Sequence, residues 1–276
     1  MMLRKYLTII LLTFPLLTFA DSGVTQYVDP MIGAVGTGRV VVGPSCPFGM
    51  VKPSPDCTVH NNSGWAPMPE QVDGFSQTHV SGTGGGPKYG NVLIMPFVDE
   101  YKPDYRESED IRLGYYGTQL KSGIKVEATA SERVARYRII YPKGSRQSLR
   151  VDASWFLGRN NEIPDARETQ QYVGGEVVTY DSSNHVVSGY TRVRGGWNNG
   201  RAYTVYFWIQ TSRPLVYKEY SRKDLADFVV RNNDSDTLLL DVGISYISER
   251  QAQRNIIDLE AQELRSPRSG LDTTYA

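Results

Sequence analysis

The sequence predicts an all-β protein, a large antiparallel β-sandwich with long N-terminal loops. Three observations carry that expectation. Short runs that alternate apolar with polar, or are continuously apolar, recur from residue 91 to residue 246. Clusters of Asn, Asp, Gly and Ser punctuate them. A helix signal opens a single stretch, close to the C-terminus. A chain with many strands and little helix buries its apolar faces sheet against sheet.

The runs follow one another in order. Asn91 to Phe97 is apolar and short, and Gly123 to Ala130 alternates as a half-buried strand should. Val134 to Tyr141 ends on a Pro142 to Gly144 turn, and Leu149 to Ala153, Glu176 to Tyr180 and Val186 to Val193 continue the series. Ala202 to Gln210 is apolar on both faces, which marks a central strand, and Thr237 to Tyr246 is the last. At least eight strands in two packed sheets are expected between residues 91 and 247, with Tyr203 to Trp208 internal. Turns fall at Asp181 to Asn184, Gly195-Gly196, Asn198 to Gly200 and Asn232 to Ser235. Ser248 to Gln251 has the S-x-x-Q form of a capping box and starts a helix expected to reach about Leu259, before Ser266 to Gly270 breaks the pattern.

Residues 1–20 read as a secretory signal: Arg4 and Lys5, an apolar stretch from Tyr6 to Phe19 interrupted by Pro15, and small residues before Ala20. The stretch is shorter than the roughly 20 apolar residues of a spanning helix. The expectation is a secreted or periplasmic protein with no membrane span after cleavage. The domain organisation that follows is a sandwich over 21–247, with a linker helix and tail over 248–276.

The 276 residues carry 30 Lys and Arg against 30 Asp and Glu, and removal of Arg4 and Lys5 leaves a formal charge of −2. That balance offers no electrostatic handle on nucleic acid or anionic lipid. Eighteen Tyr and four Trp suit both strands and sugar contact, since each ring joins an apolar face to a polar tip. Cys46 and Cys57 are too few for a structural zinc site, and their spacing leaves a bridge between them open.

Residues 21–90 are rich in Gly, Pro and Ser and lack periodicity, so they read as long, shaped loops. The most distinctive part is Val72 to Asn91, VDGFSQTHVSGTGGGPKYGN. Gly82, Gly84, Gly85 and Gly86 permit close backbone approach to a ligand, among the polar side chains of Gln77, His79, Ser81, Thr83, Lys88 and Asn91. A phosphate loop does not fit, because Pro87 and Tyr89 stand where G-x-x-x-x-G-K-[ST] needs Gly and a hydroxyl residue. A structural glycine turn is the plain alternative.

Several motifs in order resemble glycoside hydrolase family 92, the exo-α-mannosidases. They are VDPMIG at Val28 to Gly33, PFGMV at Pro47 to Val51, Ser54 to Asp56, GFSQTHVSGTG at Gly74 to Gly84, Gly114 to Tyr116, Gly123 to Thr129 and Arg133. The resemblance covers about residues 27–255. It implies the N-terminal sandwich, of the galactose-mutarotase-like kind, of an inverting, calcium-dependent enzyme that removes terminal α-mannose from mannose-rich glycans. In the family the acid, the base and the calcium ligands sit in a C-terminal helical toroid, expected to be missing from this chain. No catalytic residue is therefore assigned and no metal is expected in the chain itself.

By the same resemblance, the substrate-contacting candidates are Trp65, Asp73, Gln77, His79, Ser81, Gly82, Thr83, Lys88 and Tyr89, with Glu70 nearby. Each also has an ordinary reading: a packed indole for Trp65, a satisfied structural histidine for His79, solvated carboxylates for Asp73 and Glu70. Two departures touch these loops. Gln77 replaces a His found in many members, and Ala34 to Val42 replaces a His-rich glycine stretch. A self-standing carbohydrate-binding module and a surface β-domain without ligand are the rival classes. An aldose-epimerase reading would need a His acid and a Glu base, with His79 or His185 and Glu176 as its candidates.

Overall fold

The computed structural model describes residues 27–36, 38–57, 63–82, 88–157, 170–183, 185–196, 201–231 and 235–265. The signal segment, His60, Thr83 and Trp197 lie outside them. Among the described residues, fourteen strands and one helix follow in chain order: β1 (Ser54–Cys57), β2 (Gln71–Ser76), β3 (Leu93–Val98), β4 (Asp104–Arg112), β5 (Tyr115–Leu120), β6 (Lys125–Ala130), β7 (Val134–Ile140), β8 (Gln147–Asp152), β9 (Gln171–Asp181), β10 (Val186–Arg194), β11 (Tyr203–Thr211), β12 (Leu215–Arg222), β13 (Leu225–Val230), β14 (Thr237–Ser245) and α1 (Glu249–Arg265).

The strands pair antiparallel in the order β12-β13-β8-β3-β2-β4-β5-β6-β7-β14-β11-β10-β9, with β1 on β2. The strands make one continuous sheet, and its two halves join where β2 meets β4 over two residue pairs, Gln71 with Tyr105 and Val72 with Asp104. One hydrophobic core draws on both halves: Leu93, Leu149, Val151 and Phe228 from one, Tyr116, Val126, Tyr137, Phe207 and Leu240 from the other. Phe75 of β2 meets the rings of Tyr116 and Tyr137 at 6.3 and 6.5 Å. At the far edge Tyr180 of β9 packs on Tyr217 and Phe228 at 4.5 and 5.5 Å.

The expected strands are present, and six more join them. β1 and β2 lie within the stretch read as loop, so that reading is corrected. β1 is SPDC, fully buried and held by β2, with its polar groups satisfied by neighbours rather than by a repeating pattern. β11 is internal, between β10 and β14. Its inner face is Val205, Phe207 and Ile209. Its outer Trp208 joins Val134, Ile256 and Leu259 under the helix, which explains why both faces are apolar.

The helix runs to Arg265, six residues past its expected end. Ser248 caps it by accepting the Gln251 N–H at 3.1 Å, but the Gln251 side chain turns to Asn255 instead of completing the box. Asn255 in turn donates to the Ile244 carbonyl at 2.8 Å. Gly243 makes this docking possible: a Cβ there would lie 2.4 Å from the Ala252 carbonyl oxygen. Past Leu259, Glu263 holds Arg136 of β7 at 2.8 Å, a tertiary contact invisible to a local stop signal.

On the second half, Glu127 of β6 accepts from Tyr115 at 2.7 Å, Lys125 at 3.0 Å and Arg138. Burial opposes its ionisation, but these donors outweigh burial and hold the carboxyl down at about 2, against an ordinary value of 4.5. The folded state therefore binds this proton less readily than the unfolded chain. The stability it contributes is complete above about pH 4.5 and is lost as pH falls toward 2. Glu127→Gln is expected to lower the thermal midpoint at pH 6 and to flatten its fall over that acid window. Parallel acid slopes in the two proteins would count against this linkage.

Candidate functional site

The segment expected to meet a ligand is built around β1, β2 and the turn after β2. Asp56 of β1, wholly buried, is the centre. Its Oδ1 lies 2.7 Å from His79 Nε2, and its Oδ2 accepts the Trp155 indole N–H at 2.6 Å. The other histidine nitrogen, Nδ1, is 2.7 Å from the Lys52 carbonyl oxygen. Each of these short N···O contacts at the ring needs a proton between its atoms, so His79 and Asp56 together hold two. The pair is thus either imidazolium with carboxylate or neutral ring with neutral acid, and in both cases its net charge is zero.

Ser76 Oγ also approaches His79 Nε2, at 3.2 Å. A nucleophilic triad needs hydroxyl and carboxylate on opposite ring nitrogens. Here both address the same nitrogen and Ser76 is buried, so these three groups build a structural knot rather than an activated nucleophile. Gly64 covers the knot. Its φ is +92°, and a Cβ there would stand 2.4 Å from Asp56 Oδ1 and 3.1 Å from His79 Nε2. The next residue is Trp65, so the structure brings Trp65 and His79 into one neighbourhood.

Trp65 is 3 % exposed, with both ring faces closed to solvent. Its indole donates to Glu109 at 3.0 Å, and the same oxygen accepts from Arg106 and Tyr116 at 2.6 Å each. Arg106 also reaches the Ala66 carbonyl. Beside it, Cys57 is a free thiol, as is Cys46, which closes the question of a bridge between them. The Cys57 sulfur accepts the Ala66 N–H at 3.3 Å, and burial pushes the thiol up to about 12.

Gln77 is fully buried. Its amide donates to the Phe75 and Val92 carbonyls at 3.1 and 3.3 Å and accepts from the Tyr137 hydroxyl at 3.0 Å. A glutamine that gives and receives at once fits this place through its own chemistry. Ser81 and Gly82 lie against the N-terminal loop: Ser81 Oγ accepts the Val41 N–H at 3.3 Å and Gly82 N–H donates to Arg39 at 2.9 Å. Lys88 is 1 % exposed, Tyr89 half-buried and Gly82 exposed. Asp73 and Glu70 are half-buried. The Asp73 carbonyl accepts the Tyr101 hydroxyl at 3.1 Å, and Arg150 stacks on that tyrosine at 3.4 Å.

Tyr89 and Val92 hold φ values of 66° and 60°. Such backbone costs about 1–3 kcal/mol per residue and persists only where its surroundings fix it. The fixing groups came to light in the structure alone: Gln170 accepts the Tyr89 N–H, Leu157 donates to the Tyr89 carbonyl at 2.7 Å, and Thr78 holds Asn91. Asp56 falls in one of the motifs of the family resemblance, but Trp155, Glu109, Arg106 and Gln170 give no local signal.

A sequence model of the glycosyl hydrolase family 92 N-terminal domain matches residues 27–251. The chain belongs to glycosyl hydrolase family 92. Among solved structures, a family GH92 α-mannosidase from Bacteroides thetaiotaomicron in complex with mannoimidazole superposes with a TM-score of 0.70 at 25 % identity, covering 85 % of this chain and 34 % of that one. The family GH92 inverting mannosidase from the same species gives 0.63 at 22 % identity, over 84 % and 32 %. At that identity the second likeness speaks to fold alone. An "Uncharacterized secreted glycosidase" of Arthroderma benhamiae is 32 % identical over 143 residues, 46 % of this chain and 19 % of that protein. The family 92 chain thus spans about a third of these solved relatives and a fifth of the fungal one.

Among the described residues, no group of three or more His, Cys, Asp or Glu is placed to hold a metal ion. Nor is any described helix long and apolar enough to cross a membrane.

Proposed function

We propose that this chain is the N-terminal, glycan-contacting sandwich of an exported, calcium-dependent α-mannosidase acting on mannose-rich glycans. The observation that carries the reading is the family 92 match over residues 27–251, which includes the whole of the Asp56, His79 and Tyr89 neighbourhood. The buried knot and the strained turn are expensive to build and leave Ser81, Gly82 and Tyr89 at or near the surface. Rigid elements that hold a loop in one shape serve recognition, since the ordering cost is met before the ligand arrives. Residues 1–20 supply the export signal in this reading. The acid, the base and the calcium belong to a helical domain that packs on the sandwich.

The test is a titration of isotope-labelled residues 21–276 with an α-linked mannobiose, using the glucose analogue as control. Saturable binding near about 1 mM is expected, with the largest amide shifts at Ser81, Gly82, Lys88 and Tyr89. Equal response to both sugars, or shifts confined to other loops, would sink the reading.

A further inference from the structure

Tyr89, Gly90 and Val92 all have φ between 60° and 71°. Bulky and β-branched residues avoid that region, and an outlier of this kind is a pointer to function when it is held from several sides. Thr78 holds one side: its carbonyl accepts the Gly90 N–H at 2.6 Å and its hydroxyl the Asn91 N–H at 2.9 Å. Leu157 and Gln170, which flank residues 158–169, hold the other. Leu157 N–H donates to the Tyr89 carbonyl at 2.7 Å, and Gln170 Oε1 accepts the Tyr89 N–H. The Gln170 amide then donates to the Tyr203 hydroxyl at 3.1 Å, which donates to Asn91 Oδ1 at 3.1 Å. One buried side chain, 7 % exposed, therefore fixes residue 89 directly and residue 91 through a tyrosine.

We infer that Gln170 is a positioning residue for glycan recognition, setting the shape in which Lys88 to Asn91 meets a mannose-containing ligand. The inference rests on the glycan-contacting reading above. Its chemistry is specific: a side chain at 170 must accept from a backbone N–H and donate to a phenol at the same time. Leucine does neither, and glutamate keeps the acceptor.

The experiment combines amide exchange with mannobiose titration on residues 21–276. Gln170→Leu is expected to speed exchange of the Tyr89 and Gly90 amides by about tenfold, to leave the amides of β6 and β7 unchanged, and to weaken mannobiose binding by about tenfold. Gln170→Glu, which keeps the acceptor and loses the donor to Tyr203, should recover the Tyr89 protection and part of the affinity. Unchanged Tyr89 exchange in Gln170→Leu overturns the inference, as does faster exchange with undiminished affinity. Wild-type protein that binds no mannobiose removes the glycan reading itself, a failure distinct from wild type and Gln170→Leu binding equally well.

Discussion

Replacing Asp56 with alanine is expected to cost the sandwich about 2–5 kcal/mol, since two buried groups each lose a short hydrogen bond to it. The carboxylate is wholly buried and serves two donors from distant parts of the chain, His79 at 2.7 Å and Trp155 at 2.6 Å. Alanine takes away the 2.6 Å acceptor of the indole N–H and leaves His79 Nε2 only its longer contact with Ser76 at 3.2 Å, in a space closed by Gly64. A domain has only about 5–15 kcal/mol in total, so the loss should show in soluble yield as well as in urea unfolding at pH 7. Asp56→Asn separates charge from hydrogen-bond shape. Its carbonyl still accepts from Trp155, and its amide donates to a neutral His79 whose Nδ1–H keeps the Lys52 contact. Asparagine is therefore expected to recover more than half of the loss. An alanine variant within about 1 kcal/mol of wild type, the net worth of one ordinary hydrogen bond, would refute the knot as a keystone.

What the sequence disclosed and what it withheld follow one physical division. β7 and the outer half of β10 were legible because one face of each meets the core, so burial writes itself as alternation, and β11 was legible as a two-sided apolar run because the helix covers its Trp208. β4, DYRESEDIR, is largely exposed and shows no such period, although it pairs with β5 from Arg106 to Arg112. The β12 to β13 hairpin turns on Lys223-Asp224, without the glycine or proline that marks most tight turns. At the candidate site, glycines and polar residues flagged the segment from 72 to 91, yet its supports were hidden by separation. Trp155 is 99 residues from Asp56, Gln170 is 81 from Tyr89, and Glu109 is 44 from Trp65. Nor could residue type tell exposure: an indole, an imidazole and an amide suit a sugar or a buried network equally well. Trp65, His79 and Gln77 lie in the buried network.

Residues 21–276 alone are expected to release no mannose from an α-linked disaccharide, with or without calcium. Inverting cleavage needs an acid on the leaving oxygen and a base on a water across the ring, with the two carboxyls about 6.5–9.5 Å apart and open to substrate. Among the described residues, four carboxyls stand around the knot: Asp56, Glu109, Glu70 and Asp73. Asp56 is enclosed with His79 and Trp155, and one oxygen of Glu109 already accepts three hydrogen bonds. Glu70 and Asp73 are half-buried, Asp73 in the strand that carries Tyr101 on its carbonyl. The two enclosed carboxyls lack access to substrate, and the geometry sets no acid and base across a sugar from one another. Family 92 mannosidases of known structure are about three times the length matched here, which leaves ample chain for such a pair on another domain. The measurement is mannose release over a day, against buffer, before and after adding calcium. Turnover that calcium raises and that Glu70→Gln or Asp73→Asn abolishes would place the chemistry in the sandwich. Binding without turnover would place it outside, because a site that holds sugar but lacks an acid and a base lowers no barrier.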